Sequence, residues 1–309
     1  MLDLVVKQNQ NVWYIALSKI GTDKLCNDMR KILLIAIAAL MVLPVNVHAK
    51  KNTAKELKVM SYNVRVGNAK DGTNSWQFRA AATPAMLDAQ KPDVFGVQEA
   101  LGYQVDYIVE NCRGYKCVGV GREDGKKKGE YMSIFWNKKT VRMLKWGTFW
   151  LSETPDVPSK GWDARCKRTA TWALMKDLRS GKKFYFINTH LDHKGWDARK
   201  NGLKLIVDRI ESINPKGYPM VLTGDFNMKP DHSAIAGLDA RMQSARKIAD
   251  KTDNCNTFNN WSVKKTDNVI DYIYVSGFSS CPEYGTVTKQ YAGKPFVSDH
   301  YPIFARLIF

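Results

Sequence analysis

"MVLTGDFNMKP", residues 220–230, starts as an apolar strand and ends on Asp225, with Asn227 two residues further on. Gly, Asp and Asn are ordinary turn residues, so taken alone the stretch reads as a strand running into a turn. A carboxylate and an amide closing a buried strand are also what a site at a sheet edge needs. The other apolar runs of the chain decide between these readings.

Eight runs read as strands: 57–66, 93–99, 131–137, 169–178, 183–191, 220–225, 270–276 and 301–309. Leu203, Ile206, Val207, Ile210 and Ile213 form a stripe at helical spacing, and Leu101, Val105 and Ile108 form a shorter one. A third helix is expected over 75–89, kinked or restarted at Pro84. Many strands and few helices predict sheets packed on each other with helices outside.

The polar residues repeat one position. "VMSYNVRV" carries Asn63, "PDVFGVQEA" ends in Glu99, "FYFINTHLDH" contains His190, and "NVIDYIYVS" has Asp271 at its start. "FVSDHYPIFARLIF" opens with Asp299 and His300. Any one of these is explained by solvent contact at a strand end. Together with Asp225 and Asn227 they predict convergence at one sheet edge. Carboxylates with an amide oxygen suit Mg²⁺, which binds one or two carboxylates, waters and substrate phosphate. Two histidines can donate to phosphoryl oxygens or shuttle protons near neutral pH. A further Asp can orient and deprotonate water. This inventory describes metal-assisted phosphoester hydrolysis.

"MRKILLIAIAALMVLPVNVHAKK", from Met29, reads as a secretory signal peptide: Arg30 and Lys31, an apolar core, then Val47-His48-Ala49 before Lys50. The apolar run is too short for a membrane helix and Pro44 follows it. Residues 1–28 are polar and patternless and are expected to be a mis-assigned upstream extension, with the catalytic domain at 50–309. The expected product is periplasmic or extracellular, monomeric, and without a stable membrane anchor after signal cleavage. Export favours disulfides. Cys112–Cys117 is the expected bridge, Cys255–Cys281 a second option, with Cys166 left over. No Cys/His spacing reads as a zinc site.

The full chain of 309 residues has net charge +17. Without residues 1–49 it keeps 42 basic and 27 acidic residues, a net +15. Such a surface fits a polyanionic partner such as nucleic acid, and equally a Lys-rich composition with no such partner.

In order, "SYNVR", "QEA", "NTHLDH", "GDFN", "IDYIYVS" and "SDHYP" resemble the endonuclease/exonuclease/phosphatase superfamily with its deoxyribonuclease I-like fold, from about Leu57 to the C-terminus. The stretch "WGTFWLSETPDVPSKGWDARCKRTATWALMKD" resembles a secreted bacterial subgroup. The resemblance implies a four-layer α/β/β/α sandwich with two central, mostly antiparallel mixed sheets. It implies Mg²⁺, with Mn²⁺ as a substitute, held by Glu99 with Asn63 beside it and Asp299 at the metal edge. Asp225 would activate the attacking water, and Asn227 would hold phosphate or water. His190 and His300 would bind phosphoryl oxygens, with Asp271 paired to His300. Arg168, at a basic position of related members, and Tyr131 are candidate substrate-binding residues. The implied substrate is a phosphate ester: a nucleic acid, or an inositol phosphate, nucleotide or sphingomyelin. A non-catalytic binding protein of the same fold is the alternative, and the intact set of Glu99, His190, Asp225 and His300 argues against it.

Overall fold

Two six-stranded sheets form the centre of the described residues. The computed structural model describes residues 56–264 and 266–309; the expected leader and upstream extension lie outside the described residues. The first sheet contains β1 (Leu57–Asn63), β2 (Val94–Gln98), β3 (Tyr115–Val118), β4 (Ile134–Asn137), β11 (Ser280–Thr286) and β12 (Ile303–Ile308), in the order β11-β12-β1-β2-β4-β3. The second contains β5 (Val141–Trp150), β6 (Thr169–Asp177), β7 (Lys183–His190), β8 (Met220–Asp225), β9 (Gln243–Ser244) and β10 (Asp271–Ser276), in the order β5-β6-β7-β8-β10-β9. Each sheet has one parallel pair at its middle, β1 with β2 and β7 with β8, and antiparallel pairs elsewhere.

Strand alternation builds three apolar layers. Phe184 and Phe186 of β7 point between the sheets, where they join Val59, Val94, Ile273 and Ala305. Tyr185 and Ile187 point outward onto α4 (Trp196–Ile213) and α5 (Ser233–Asp239). Met60 and Phe95 face outward from the first sheet onto α2 (Ala82–Gln90) and α3 (Gly102–Asn111). The result is the α/β/β/α sandwich. Pro84 falls in the first turn of α2, after the short α1 (Trp76–Arg79), so the expected interruption is a restart.

Asn188 ties the two sheets together. Its Nδ2 donates to the carbonyls of Val97 (2.7 Å) and Ser133 (3.1 Å), and its Oδ1 accepts from Gln98 at 2.6 Å. Gly96 makes room for it: a Cβ there would lie 2.4 Å from the Asn188 amide and 2.8 Å from Thr223 Oγ1. Gly96→Ala should therefore lower unfolding free energy by about 1–3 kcal/mol, the usual cost of overpacking. Denaturant melts of the two proteins test this, and an unchanged midpoint would mean that the inter-sheet contact yields freely.

The expected disulfides are not formed. Cys112, Cys117 and Cys281 are free thiols, which removes both Cys112–Cys117 and Cys255–Cys281. Cys112 ends α3 and is buried in the apolar layer beneath it, and Cys117 packs against that same layer from β3. Burial raises both thiols to about 11. They serve as small apolar core residues.

Candidate active site

The sheet topology explains why polar residues close some strands and open others. Asn63 ends β1 and Glu99 follows β2, the parallel pair of the first sheet. His190 ends β7 and Asp225 ends β8, the parallel pair of the second, in direct register. All four sit at carboxyl ends of parallel strands, where open sheets bind ligands. β10 runs antiparallel to β8, so its first residue, Asp271, faces Asp225. β12 runs antiparallel to β1, which brings the preceding Asp299 and His300 to the same edge. Glu99, Asn227 and Arg65 each hold a left-handed backbone, with φ of 63°, 51° and 58°. Such strain in non-glycine residues persists where the surroundings fix it, typically at functional sites.

The side chains meet around Asn63. Its Nδ2 lies 3.0 Å from Glu99 Oε1, 3.0 Å from Asp225 Oδ2 and 3.5 Å from His300 Nε2. Its Oδ1 accepts from the Arg65 amide at 2.9 Å. The Val66 amide donates to Glu99 Oε2 at 2.9 Å. His300 Nδ1 is 2.8 Å from Asp271 Oδ2, and Thr257 Oγ1 fixes Asp271 by accepting its amide. Asn227 Nδ2 sits 2.9 Å from His190 Nε2, and the Asn227 amide donates to Asp225 Oδ1. His190, Asp225, Asp271 and His300 are all at most 4% exposed.

The two histidines carry opposite charge tendencies. Burial opposes a charged His300, but Asp271, Asp225 and Asp299 outweigh it and raise the imidazole to about 10. Burial, then Arg168 and Arg122, hold His190 well below the ordinary histidine range, so it is neutral. Burial raises Asp225 to about 7, with His300 opposing and Asp271 adding to the rise. Burial also pushes Glu99 up, yet His300, the Asn63 hydrogen bond, the Val66 N–H and Arg65 together hold it below the usual carboxylate range.

Residues 60–300 match the sequence profile of the Endonuclease/Exonuclease/phosphatase family. The chain belongs to this family. It is 35% identical to a Bacteroides thetaiotaomicron protein of the same family, with a TM-score of 0.79 over 82% of this chain and 98% of that one. It is 34% identical to the B. thetaiotaomicron mannosyl-6-phosphatase, with a TM-score of 0.77 over 82% of this chain and 100% of that one. An uncharacterized protein of Acanthamoeba polyphaga mimivirus is 24% identical over 80% of this chain and 98% of its own length. Family members are hydrolytic phosphoesterases, and the chain is an enzyme of that class; enzymes of the family generally use divalent metal ions.

The donor set fits such an ion. Glu99 and Asp225 each offer a carboxylate oxygen within 4.8 Å of one another and of a His300 ring nitrogen, and with His300 charged the ligands are the carboxylates. Four buried or part-buried carboxylates, Glu99, Asp225, Asp271 and Asp299, face two cationic side chains, His300 and Arg65, and Arg65 is also paired with Asp71. This excess of hard oxygen and negative charge suits a divalent cation. Asp299 itself lies 3.5 Å from Arg65 and accepts from Ser298 Oγ, so a cation is its neighbour already.

A second group, Cys166, Asp192 and His193, also brings three donor atoms together. Asp192 Oδ1 accepts from the amides of Lys194 and Gly195, and Oδ2 from the Cys166 amide and Arg168 Nε. Arg168 Nη2 lies 3.0 Å from His193 Nδ1. The guanidinium takes the place that a metal would need. Arg168 is therefore buried beside His190 rather than on the surface. Tyr131 packs its ring in the apolar layer with Val105 and Ile108, and its hydroxyl donates to the Lys126 carbonyl. Sequence reasoning passed over Arg65, which touches Asn63, Asp71 and Asp299. Its place within "SYNVR" was the available signal.

Proposed function

We propose that the chain is an exported, Mg²⁺-dependent phosphoesterase that hydrolyses phosphomonoesters, with a sugar phosphate as the substrate class. The observation that carries the reading is the convergence of Glu99, Asp225 and His300 within 4.8 Å of one another, two carboxylates for a cation and a water beside a charged imidazole for the phosphate. When bound, Mg²⁺, or Mn²⁺ in its place, supplies Lewis-acid polarisation of a phosphoryl oxygen. Glu99 would hold it, with Asn63 fixing the carboxylate. Asp225, raised to about 7, accepts the proton of the attacking water. His300, charged and oriented by Asp271, donates to a phosphoryl oxygen. Neutral His190 and Asn227 form a hydrogen-bonded pair that orders the phosphate-facing edge. Arg168, one residue before β6, adds positive charge beside His190.

Similarity to the mannosyl-6-phosphatase, 34% over 82% of the chain, supports the monoester and sugar-phosphate reading. Net charge +15 for residues 50–309 supports a second reading, hydrolysis of nucleic acid. Initial rates with Mg²⁺ on mannose 6-phosphate, p-nitrophenyl phosphate, bis-p-nitrophenyl phosphate and single-stranded DNA separate them. The proposal expects both monoesters to turn over faster than the diester and DNA. Faster cleavage of DNA would transfer the assignment to the nuclease reading.

Export rests on the basic and apolar pattern that starts at Met29. N-terminal sequencing of exported protein should begin at or near Lys50, and mature material that retains Trp13 would contradict it.

A further inference from the structure

Gln104 lies in the first turn of α3, and its side chain is completely buried. Its Oε1 accepts from the Leu101 amide at 3.0 Å, which is the reach-back bond of an ordinary helix start. The same oxygen also accepts from the Gly67 amide at 2.7 Å, and Nε2 donates to the Arg65 carbonyl at 3.0 Å. A helix cap needs neither of these two bonds.

Both bonds reach the loop that follows β1 and bracket one residue, Val66. The Val66 amide is the donor to Glu99 Oε2, and the Arg65 amide is the donor to Asn63 Oδ1. Arg65 and Glu99 are both in the left-handed region, at φ 58° and 63°. Strain of this kind is held only by surrounding contacts. Gln104 bonds to both strained loops at once, through Arg65 and Gly67 on one side and Leu101 on the other. Gly67 is small because a Cβ there would lie 2.7 Å from Gln104 Cδ and 2.2 Å from Tyr103 Oη.

We propose that Gln104 is a positioning residue for the divalent cation: it locks the 65–67 loop so that Val66 and Asn63 aim the Glu99 carboxylate. The inference rests on the reading of Glu99 as the metal-holding residue. Outer partners that orient metal ligands typically change metal affinity by about 10–100-fold when removed.

The test is Mg²⁺ titration by calorimetry, with thermal melts, on the full mature protein and on Gln104→Met, Gly67→Ala, Val105→Ala and Glu99→Gln. Gln104→Met should weaken Mg²⁺ binding by about 10–100-fold. Gly67→Ala, which disturbs the same bond from the loop side without opening the core, should weaken it in the same direction. Val105→Ala removes an apolar contact of the next residue on α3, and should lower the melting temperature with Mg²⁺ affinity unchanged. Wild-type affinity in either folded loop variant, or an equal loss in Val105→Ala, overturns the proposal. Glu99→Gln distinguishes the two levels: unchanged affinity there defeats the metal-site reading itself, whereas loss there with no loss in Gln104→Met defeats only the positioning role.

Discussion

Replacing Glu99 with Gln should reduce kcat/KM by about 10³-fold or more while the protein stays folded. The carboxylate is the group proposed to hold the cation, and Lewis-acid stabilisation of the transition state is worth several kcal/mol, at about 1.4 kcal/mol per tenfold in rate. Glutamine keeps the volume and one acceptor oxygen. Glu99 accepts from both Asn63 and Val66, so the amide loses one of two charge-assisted bonds. The expected stability loss is about 1.5–3 kcal/mol. Steady-state kinetics with a thermal melt checks both halves. A variant of near wild-type activity would remove Glu99 from the metal role, and an unfolded one would show the carboxylate to be needed for the fold.

Asp271→Asn should move the alkaline limb of the rate–pH profile to lower pH and reduce turnover by about 10²–10⁴-fold, the range for a positioned acid–base group. A raised pKa means that His300 keeps its proton up to its folded value and loses it above. Burial works against that proton, and Asp271 is the leading group that holds it, both by its charge and through the 2.8 Å bond to Nδ1. Without Asp271, burial weighs more and the proton leaves at lower pH. Asp299 contributes less to the rise and faces Arg65, so Asp299→Asn should shift the limb less. Profiles at saturating Mg²⁺ decide this. An unmoved limb in Asp271→Asn with a moved one in Asp299→Asn would exchange the two roles.

The candidate site was legible because one position repeats. A single polar group at the end of an apolar strand has an ordinary reason, but the same position recurs at Asn63, Glu99, His190, Asp225, Asp271 and His300. Where the polar group has an ordinary structural reason, the sequence is silent. Gln104 looks like a helix start because its further partners are backbone groups of the 65–67 loop, and Arg65 looks like a solvent charge because its guanidinium meets Asp71 and Asp299 only once the chain is folded. The missed strands fail for their own reasons. β11 contains Pro282 and Gly285 and a register shift between Ser280 and Glu283, tolerated because it is an edge strand. β5 is also an edge strand, with a register shift between Met143 and Lys145 that breaks its alternation. The cysteine expectation failed because five residues of separation say nothing about direction, and both thiols turn toward the same apolar layer.

Hydrolysis at this edge by a cation-assisted, Asp225-activated water is the central claim. The direct measurement is p-nitrophenol release from p-nitrophenyl phosphate by metal-stripped protein titrated with MgCl₂, run on wild type and Asp225→Asn. The expected result is no release before Mg²⁺, a saturable rise for wild type, and no comparable rise for Asp225→Asn at any Mg²⁺ concentration. Release by the stripped protein, or wild-type rates from Asp225→Asn, would contradict it.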